Sequence, residues 1–460
     1  MIRLFNAYFP TRTLLLTVTE ALLVTLGFVI AVVFWAGTAT DANIYLLYEN
    51  GFGRIGLVVG VFLLLMYYFD LYDSMVLSNR REVVTRLVGV LGCSFVTLSV
   101  LYYAFPEISL VGTALWSGVA IVGVTVPAWR KLFFVLNRSA RFSERAILYG
   151  DGPLAAPLME EISVRPDLGV RVVGFVGQGT PTSHGIPRLA DDDLLDLVQE
   201  RNVQRIVVTM GDRRGKLNVE KLLKLKTQGV RIQDGPEYYE GITGKIPLES
   251  LRLSWLLFSP GFHVRTGLRL YKRLFSLLLG SLAILVTSPI MLLAAIAIRL
   301  DSRGPAIFRQ KRVGEHGRLF TVYKFRSMYD GSEHRSLTPA EHDDERITRV
   351  GKWLRRTRID ELPQLFNIVK GDMAFVGPRP FVPEQEEDCA ARIPFYRERW
   401  LVKPGATGWA QINRGYNVTL EDNREKLAFD LFYIKNVSLG LDLFIMFSTI
   451  KILLLGRGGR

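Results

Sequence analysis

The chain contains little cysteine and little charge for its length. Two of its 460 residues are cysteines, Cys93 and Cys389, which are too few for a disulfide scaffold, and no spacing of cysteine and histidine is typical of a zinc site. Charged residues make up 22% of the sequence and hydrophobic residues 49%. Its mean hydropathy of +0.21 is rare in a soluble protein of this size. We therefore expect a membrane protein, and neither a disordered nor a repetitive chain.

Acidic residues are outnumbered by basic ones. The sequence has 44 Asp and Glu against 57 Lys and Arg, a net charge of +13. Such an excess favours an anionic partner, which could be lipid headgroups, nucleotide phosphates or nucleic acid. The motifs described below favour anionic membrane lipids and phosphates, so we expect no nucleic-acid partner.

Residues 1–135 contain the first long apolar runs, each long enough to cross a bilayer as a helix. We therefore predict four transmembrane helices in this block. Glu20 lies inside the first run, where a carboxylate is costly, and its simplest interpretation is a side chain that faces the bundle or lies near the interface. The runs cover 13–36, 55–76, 87–104 and 109–128.

Basic residues flank this block on one side. Arg3 and Arg12 precede the first run, Arg80 and Arg81 lie in the second loop, and Arg130 begins a basic stretch after the fourth run. Because arginine and lysine are retained on the cytoplasmic side, both ends of the block are predicted to lie in the cytoplasm.

Residues 143–250 have the alternation of a Rossmann-like α/β domain. A buried strand at 146–149 is followed by the G-x-G-x-x-A turn at 150–155, and further strands are predicted at 170–176, 205–210 and 229–232. The evidence for a bound dinucleotide is weak, because no acidic ribose ligand is clear about 20 residues further on. The simpler interpretation is a glycine turn that lets a helix pack on a strand.

A third domain, at 265–460, begins with an apolar segment that has unusual flanks. Basic residues crowd both ends of the run from Leu274 to Ile298, so a crossing would place one cluster outside the cell. Ser288-Pro289 interrupts the run, because proline removes a backbone donor. Ser288 can satisfy a carbonyl that is freed in this way. We predict a re-entrant helix at 272–299 that bends there and returns to the same face. A Pro-kinked crossing helix is the alternative.

The strongest candidate for chemistry is the adjacent pair Asp360-Glu361. Pro363 and Gly371 predict a helix over 361–370 with Asp360 at its N-cap, and the simplest interpretation is a helix cap that pairs with Arg356. The functional interpretation is that neighbouring arginines keep both carboxylates ionised. One carboxylate can then attack phosphorus while the other holds a divalent cation.

Other basic residues suit a diphosphate site. Lys324 and Arg326 alternate along a strand, and Arg379 stands in the stiff turn Gly377-Pro378-Arg379-Pro380. Each also has a plain interpretation as a surface cation or headgroup contact. The turn at 404–411 also has a plain interpretation, as a loop that positions the catalytic helix.

We predict a mobile loop at 329–345 and, at 442–460, an amphipathic helix lying in the membrane interface.

Together these motifs resemble the bacterial sugar transferases of the monotopic phosphoglycosyl transferase family, in its large form. The resemblance covers residues 268–460, whereas the preceding residues match by architecture only. The departure from the family pattern is Glu345, where many members carry proline. The matching stretches are Tyr271-Lys272-Arg273, Ser288-Pro289, Phe308-Arg309-Gln310-Lys311-Arg312-Val313-Gly314, Tyr323-Lys324-Phe325-Arg326-Ser327-Met328, Ile359-Asp360-Glu361-Leu362-Pro363-Gln364-Leu365, Val376-Gly377-Pro378-Arg379-Pro380 and the Pro-Gly-x-Thr-Gly turn at 404–408.

The resemblance implies a reaction. A hexose-1-phosphate would pass from a UDP-sugar to polyprenyl (undecaprenyl) phosphate with release of UMP, as the first membrane step of exopolysaccharide or O-antigen synthesis. Asp360 would be the nucleophile and form a covalent phosphosugar intermediate, and Glu361 would help to bind Mg²⁺. The catalytic domain would face the cytoplasm from the bacterial inner membrane, and a homodimer fits the family. The residues implied in binding phosphate are Lys324, Arg326, Arg355 and Arg379.

Two other functions stay open at this point. One is a membrane glycosyltransferase that releases UDP, which would need a metal-binding D-x-D motif, and none is obvious near a predicted strand end. The other is a non-catalytic scaffold that senses a nucleotide through its Rossmann-like domain.

Overall fold

The structure, a computed structural model, divides into two compact units. The first comprises Met1–Ile2 and Phe9–Tyr238, and the second comprises Arg3–Tyr8 and Tyr239–Arg460. The residues described are 1–4, 6–73, 76, 80–138, 143–177, 186–191, 194–211, 217–251, 258–259, 261–262, 266–331, 344–414 and 419–454.

Helices and strands follow one another in this order along the first 243 residues. They are β1 (Ile2–Leu4), β2 (Ala7–Phe9), α1 (Thr11–Ala36), α2 (Ala39–Tyr48), α3 (Gly51–Tyr68), α4 (Arg80–Ala104), α5 (Gly112–Arg138), β3 (Glu144–Tyr149), α6 (Ala155–Val164), β4 (Val170–Val176), β5 (Arg188–Leu189), α7 (Leu194–Glu200), β6 (Arg205–Val208), α8 (Val219–Thr227), β7 (Arg231–Asp234) and α9 (Gly235–Thr243).

The rest of the chain is built from shorter elements after one long helix. They are α10 (Thr266–Asp301), β8 (Ile307–Val313), β9 (Leu319–Phe325), α11 (Arg349–Thr357), α12 (Gln364–Lys370), β10 (Ala374–Val376), α13 (Pro383–Arg392), β11 (Gly405–Thr407), α14 (Trp409–Asn413), α15 (Leu420–Asn436) and α16 (Leu439–Leu454).

Within the described residues, five helices are long and apolar enough to cross a membrane. Four of them, α1, α3, α4 and α5, lie in the block where four were predicted, and the fifth is α10. The second predicted run ends early, at Tyr68, because the chain turns through Asp70, whose φ is 55°. A short helix not foreseen from the sequence, α2, follows the first span and is capped by the Thr38 hydroxyl.

A buried ion pair joins α1 to α5. Glu20 is fully buried, and its two carboxylate oxygens accept from Nε and Nη2 of Arg130 at 2.5 and 2.9 Å. Tyr72 donates to the same carboxylate at 2.8 Å, and Arg130 also donates to the carbonyl of Leu71. Glu20 therefore faces the bundle, as its simplest interpretation held, and its charge is matched inside the protein.

The α/β part of the first unit is a five-stranded parallel sheet in the order β5-β4-β3-β6-β7. The predicted strands are present, and β7 lies at the edge as expected. The glycines of the turn after β3 are needed for packing: a Cβ on Gly150 would lie 2.2 Å from Met210, and one on Gly152 would lie 2.0 Å from the Thr209 carbonyl oxygen. These contacts favour the simpler interpretation of that turn.

The second unit contains α10, a continuous helix of 36 residues that would span about 54 Å if straight. Its middle exposes large apolar side chains, among them Leu278, Leu285 and Leu292, as expected of a surface in lipid. Pro289 cannot donate to the carbonyl of Leu285, and the Ser288 hydroxyl donates to that oxygen at 2.8 Å instead. Ser288 therefore satisfies the freed carbonyl as expected, whereas the re-entrant path and the break at Ser288-Pro289 stay predictions.

The C-terminal helix α16 begins at Leu439, and Asp442 does not belong to an exposed polar face. Asp442 is buried, accepts from Tyr433 at 2.7 Å and pairs with Lys272 at 2.7 Å. The outer stripe of α16 is apolar instead and includes Leu443 and Ile450. The predicted tail residues 455–460 lie outside the described part of the chain, and so do residues 332–343 of the predicted mobile loop.

We expect Glu20→Met or Arg130→Met alone to lower the free energy of unfolding by about 3 kcal/mol, because each leaves an uncompensated buried charge. The double variant Glu20→Met/Arg130→Met should lose less than the sum of the two. Thermal unfolding of the full chain in detergent measures this, with the exposed Arg81→Met as the unchanged control. Additive losses would contradict a direct ion pair.

Candidate active site

Asp360 and Glu361 lie on a single turn of 3-10 helix, Ile359–Glu361, between α11 and α12. This corrects the predicted helix over 361–370 with Asp360 at its N-cap, because α12 begins only at Gln364. Pro363 has no N–H to donate to the Ile359 carbonyl, so the Leu362 N–H takes that oxygen at 3.1 Å and tightens the turn. The two carboxylates therefore stand just before α12, and both are half-buried.

Arg358 turns the chain sharply into this pair. It ends α11 in the left-handed conformation, with φ 56° and ψ 19°, which costs a non-glycine residue about 1 kcal/mol. The turn brings its guanidinium within 3.5 Å of Oε2 of Glu361. This strained residue was missed in the sequence, because nothing in the pattern marks a left-handed arginine.

Glu361 is held by cations from three separate segments. Its Oε1 accepts from Lys324 of β9 at 3.1 Å and from Arg379 at 2.8 Å, and Arg358 lies near its other oxygen. Burial alone would raise the pKa of Glu361, but these three cations outweigh it and hold that pKa well below the ordinary value of a glutamate. Glu361 is therefore a permanent anion in a cationic cluster.

The pKa of Asp360 is shifted in the opposite direction. Burial, and after it the charge of Glu361, raise the pKa of Asp360 to about 6, against the opposing charges of Lys324, Arg355 and Arg358. Nearby cations therefore lower the pKa of both carboxyls, as expected, but at Asp360 burial and the charge of Glu361 outweigh them. A carboxylate that is more basic than usual and still mostly ionised at neutral pH is a better nucleophile than an ordinary aspartate.

A buried asparagine sets the distance between Lys324 and Glu361. Asn367 of α12 is fully buried; its amide oxygen accepts from the N–H of Tyr323 at 3.0 Å, and its amide nitrogen donates to the carbonyl of Thr321 at 2.7 Å. These two bonds fix α12 against β9, which pairs with β8 as an antiparallel hairpin. Lys324 is thereby held beside the turn that precedes α12.

The turn that carries Arg379 is fixed by close backbone contacts. The Gly377 N–H donates to the Thr407 carbonyl at 2.9 Å, and the Gly405 N–H donates to the Pro378 carbonyl at 3.0 Å, where β10 and β11 pair in parallel. A Cβ on Gly405 would lie 2.1 Å from the nitrogen of Gly377, so only glycine fits. The Pro-Gly-x-Thr-Gly turn therefore positions Arg379 rather than the catalytic helix directly.

Behind this turn lies a buried guanidinium, that of Arg399. It donates to the backbone carbonyl of Arg379 at 2.9 Å, to Glu386 at 2.8 Å and to Asp430 at 3.0 Å. Only 3% of its side chain is exposed, so it serves the fold of the site and not a ligand. Arg399 is thus a positioning residue. This role could not be predicted from the sequence, because these partners lie 13 to 31 residues away along the chain.

Arg312 is a further cation near the site. In the sequence it was named only as part of a motif and was not predicted to be a site residue. It donates to the Pro380 carbonyl at 3.2 Å and to Gln310 at 2.6 Å. Burial, and after it the charge of Arg379, lower the pKa of Arg312 to about 10. The two guanidinium groups therefore lie close together, which favours an anion near them.

The other predicted phosphate ligands divide between two places. Arg355 lies close enough to Asp360 to lower its pKa, so it belongs to the cluster. Arg326 is buried, and its hydrogen bonds go to the backbone and hydroxyl oxygens of Ser302 at 2.8 Å. Among the described residues, the cations that contact Glu361 are Lys324, Arg358 and Arg379, and Arg326 is not one of them.

The donor set fits a magnesium ion that takes most of its ligands from substrate and water. No group of three or more His, Cys, Asp or Glu side chains with metal-site spacing occurs in the described part of the chain. Glu361, the predicted Mg²⁺ ligand, offers one carboxylate, and Mg²⁺ is commonly bound by one or two carboxylates together with phosphate oxygens.

One acidic motif escaped the sequence analysis. Asp191 begins an Asp-Asp-Asp run two residues after β5, near a strand end where no D-x-D motif was recognised. Asp191 accepts from the Tyr149 hydroxyl at 2.6 Å and pairs with Lys221 at 3.2 Å, while the next two aspartates lie outside the described residues. Its partners give Asp191 a structural role within the first unit.

Two families match the chain. Residues 268–456 match the family described as bacterial sugar transferase, and residues 67–233 match the family described as CoA-binding domain. The first match contains Asp360, Glu361, Lys324, Arg355, Arg358 and Arg379.

Three curated relatives illustrate the similarity. A UDP-N-acetylgalactosamine-undecaprenyl-phosphate N-acetylgalactosaminephosphotransferase of Aeromonas hydrophila is 44% identical over 48% of this chain, and the match spans about half, 52%, of that relative. Two UDP-glucose:undecaprenyl-phosphate glucose-1-phosphate transferases match over a longer range. The protein of Klebsiella pneumoniae is 33% identical over 71% of each chain, and that of Xanthomonas campestris pv. campestris is 31% identical over 83% of this chain and 82% of its own.

The asymmetry of the acidic pair can be measured directly. We expect the Asp360 carboxyl to titrate at about pH 6, and in Glu361→Gln to titrate at a lower pH, because the neighbouring negative charge that adds to the effect of burial is lost. Carbon-13 NMR of the aspartate-labelled full chain follows this, with Asp360→Asn identifying the signal and the exposed Glu387→Gln as control. An ordinary midpoint in the unmodified chain would contradict the assignment.

Proposed function

The chain belongs to the bacterial sugar transferases, in the large form of the polyprenyl glycosylphosphotransferases, and from this premise we propose that it transfers a sugar-1-phosphate from a UDP-sugar to undecaprenyl phosphate and releases UMP. The observation that carries the proposal is the contrast between two adjacent carboxyls. The pKa of Asp360 is raised, whereas Glu361 is held as an anion among cations.

The reaction proceeds in two displacements at one phosphorus. An Asp360 carboxylate oxygen attacks the sugar-proximal phosphorus of the UDP-sugar, and the bond from that phosphorus to the bridging oxygen breaks, so UMP leaves with the electron pair. A phosphate oxygen of the acceptor lipid then attacks the same phosphorus. The bond to Asp360 breaks, and the carboxylate is restored together with a polyprenyl diphosphate sugar.

The cationic cluster supplies the electrostatics of both steps. Lys324, Arg358 and Arg379 now share the charge of Glu361, and the same donors can turn to the phosphate oxygens when a diphosphate enters. Arg312, which lies near Arg379, adds a further positive charge to this cationic cluster. Glu361 would help to hold Mg²⁺, and such an ion neutralises phosphate charge when bound.

The membrane helices explain how an insoluble acceptor meets a soluble donor. We place the active site on the cytoplasmic face of the bacterial inner membrane, where the UDP-sugar arrives from water and the lipid phosphate arrives laterally. The basic residues at both ends of α10 favour a helix that enters and leaves on that face. The relatives named above act on glucose or N-acetylgalactosamine donors, so the sugar is left open.

The released nucleotide tests the proposal against its main alternative, a glycosyltransferase that releases UDP. With a panel of radiolabelled UDP-hexoses and UDP-N-acetylhexosamines and undecaprenyl phosphate, we expect one donor at least to give lipid-linked label and UMP. Asp360→Asn and Glu361→Gln should lower the rate by at least about a thousandfold, because they remove the nucleophile and the anion at the centre of the cluster.

Glu387→Gln, an exposed carboxylate on α13, is the matched control and should keep full activity. Release of UDP would contradict the proposal, and so would substantial turnover in a folded Asp360→Asn variant. Normal function of that variant would favour the nucleotide-sensing scaffold instead.

The path of α10 can be tested by labelling single cysteines from the two sides of the membrane. We expect cysteines at Gly267 and Arg303 both to react with a membrane-impermeant reagent from the cytoplasmic side. Pro289→Ala should straighten the helix and lower activity. Labelling of the two positions from opposite sides would show that α10 crosses the bilayer.

A further inference from the structure

A cavity lined by cations lies in the catalytic unit, at the other end of α12 from the acidic pair. Its volume is about 400 Å³. Its walls come from the first turns of α10, from β10 and from the segment around Lys403. Neither Asp360, Glu361 nor any cation that contacts Glu361 lines it.

The charge of the lining is positive. Four cations, Arg269, Lys272, Arg273 and Lys403, face one carboxylate, that of Glu315. Lys272 is offset by its ion pair with Asp442. Among the described residues, no carboxylate pairs with the other three cations: Arg273 donates to the carbonyls of Ile368 and Val369, Lys403 donates to that of Gly371, and Arg269 is exposed.

The remaining wall is apolar, and the cavity lies where α10 enters its apolar run. Leu270, Met373, Val376 and Val402 are among the lining residues, and the continuous apolar stretch of α10 starts just after Arg273. A group that is anionic at one end and hydrocarbon at the other fits both surfaces, whereas a soluble nucleotide would leave the apolar wall uncovered.

The position of the cavity separates it from the proposed reaction. Arg273 holds the last carbonyls of α12, a helix of seven residues that is about 10 Å long, and the acidic pair precedes the first turn of that helix. An acceptor phosphate seated at Arg273 would therefore be too far from Asp360 to react. This step alone rests on the proposed function.

We propose that this cavity binds the headgroup of an anionic phospholipid of the bilayer, which anchors the base of α10 and is distinct from the acceptor lipid. The phosphate lies against Arg269, Arg273 and Lys403, and the glycerol and first acyl carbons lie against Leu270 and Val402. The site holds α10 at a fixed depth through its first two turns.

The test is lipid retention by the full chain in nanodiscs of phosphatidylcholine with phosphatidylglycerol, followed by mild delipidation and native mass spectrometry. We expect the unmodified chain to retain one phosphatidylglycerol. Arg269→Ala should weaken retention about fivefold, as the loss of one headgroup cation predicts. Val402→Phe, which fills the cavity without changing its charge, should weaken it also.

Arg397→Ala, which removes an exposed cation elsewhere in the same unit, is the matched control and should retain the lipid normally. Equal retention by Arg269→Ala and the unmodified chain would overturn the proposal. Displacement of phosphatidylglycerol by equimolar undecaprenyl phosphate would overturn it too, because the occupant would then be the acceptor. Since no readout uses turnover, a failure here is separate from a failure of the proposed reaction.

Discussion

The catalytic unit depends on one carboxylate, that of Glu361, and on the cations that surround it. Lys324, Arg358 and Arg379 come from a strand, a strained turn and a proline-flanked loop, and all three lie within 3.5 Å of this anion. A half-buried cluster of like charges would repel itself without it. The glutamate therefore gathers the cations to which the proposed function assigns the binding of phosphate.

The same charge gives its neighbour a different chemistry. Asp360 is adjacent in sequence, yet burial and the negative charge beside it raise its pKa, whereas Glu361 remains an anion at any physiological pH. Two equivalent carboxylates could not share the work of attacking phosphorus and of organising cations. The 3-10 turn before Pro363 is the local structure that separates them, since it sets the two side chains in different surroundings.

Much of this could be predicted from the sequence, because its signals are local. Apolar length predicts the long helices, Pro289 with Ser288 predicts the hydroxyl-to-carbonyl hydrogen bond, and the Asp360-Glu361 pair predicts the place where cations gather. What could not be predicted depends on contacts distant in sequence. Arg399 supports the carbonyl of Arg379 from 20 residues away, and nothing near it in the sequence indicates that role.

The central claim is that Asp360 forms a bond to phosphorus. Intact-protein mass spectrometry of the full chain, mixed with its UDP-sugar donor and quenched before the acceptor lipid is added, tests it most directly. The account predicts a species heavier by one sugar phosphate, equal in amount to the UMP released and absent in Asp360→Asn. Turnover with no such species at any time, or an adduct that persists in Asp360→Asn, would contradict it.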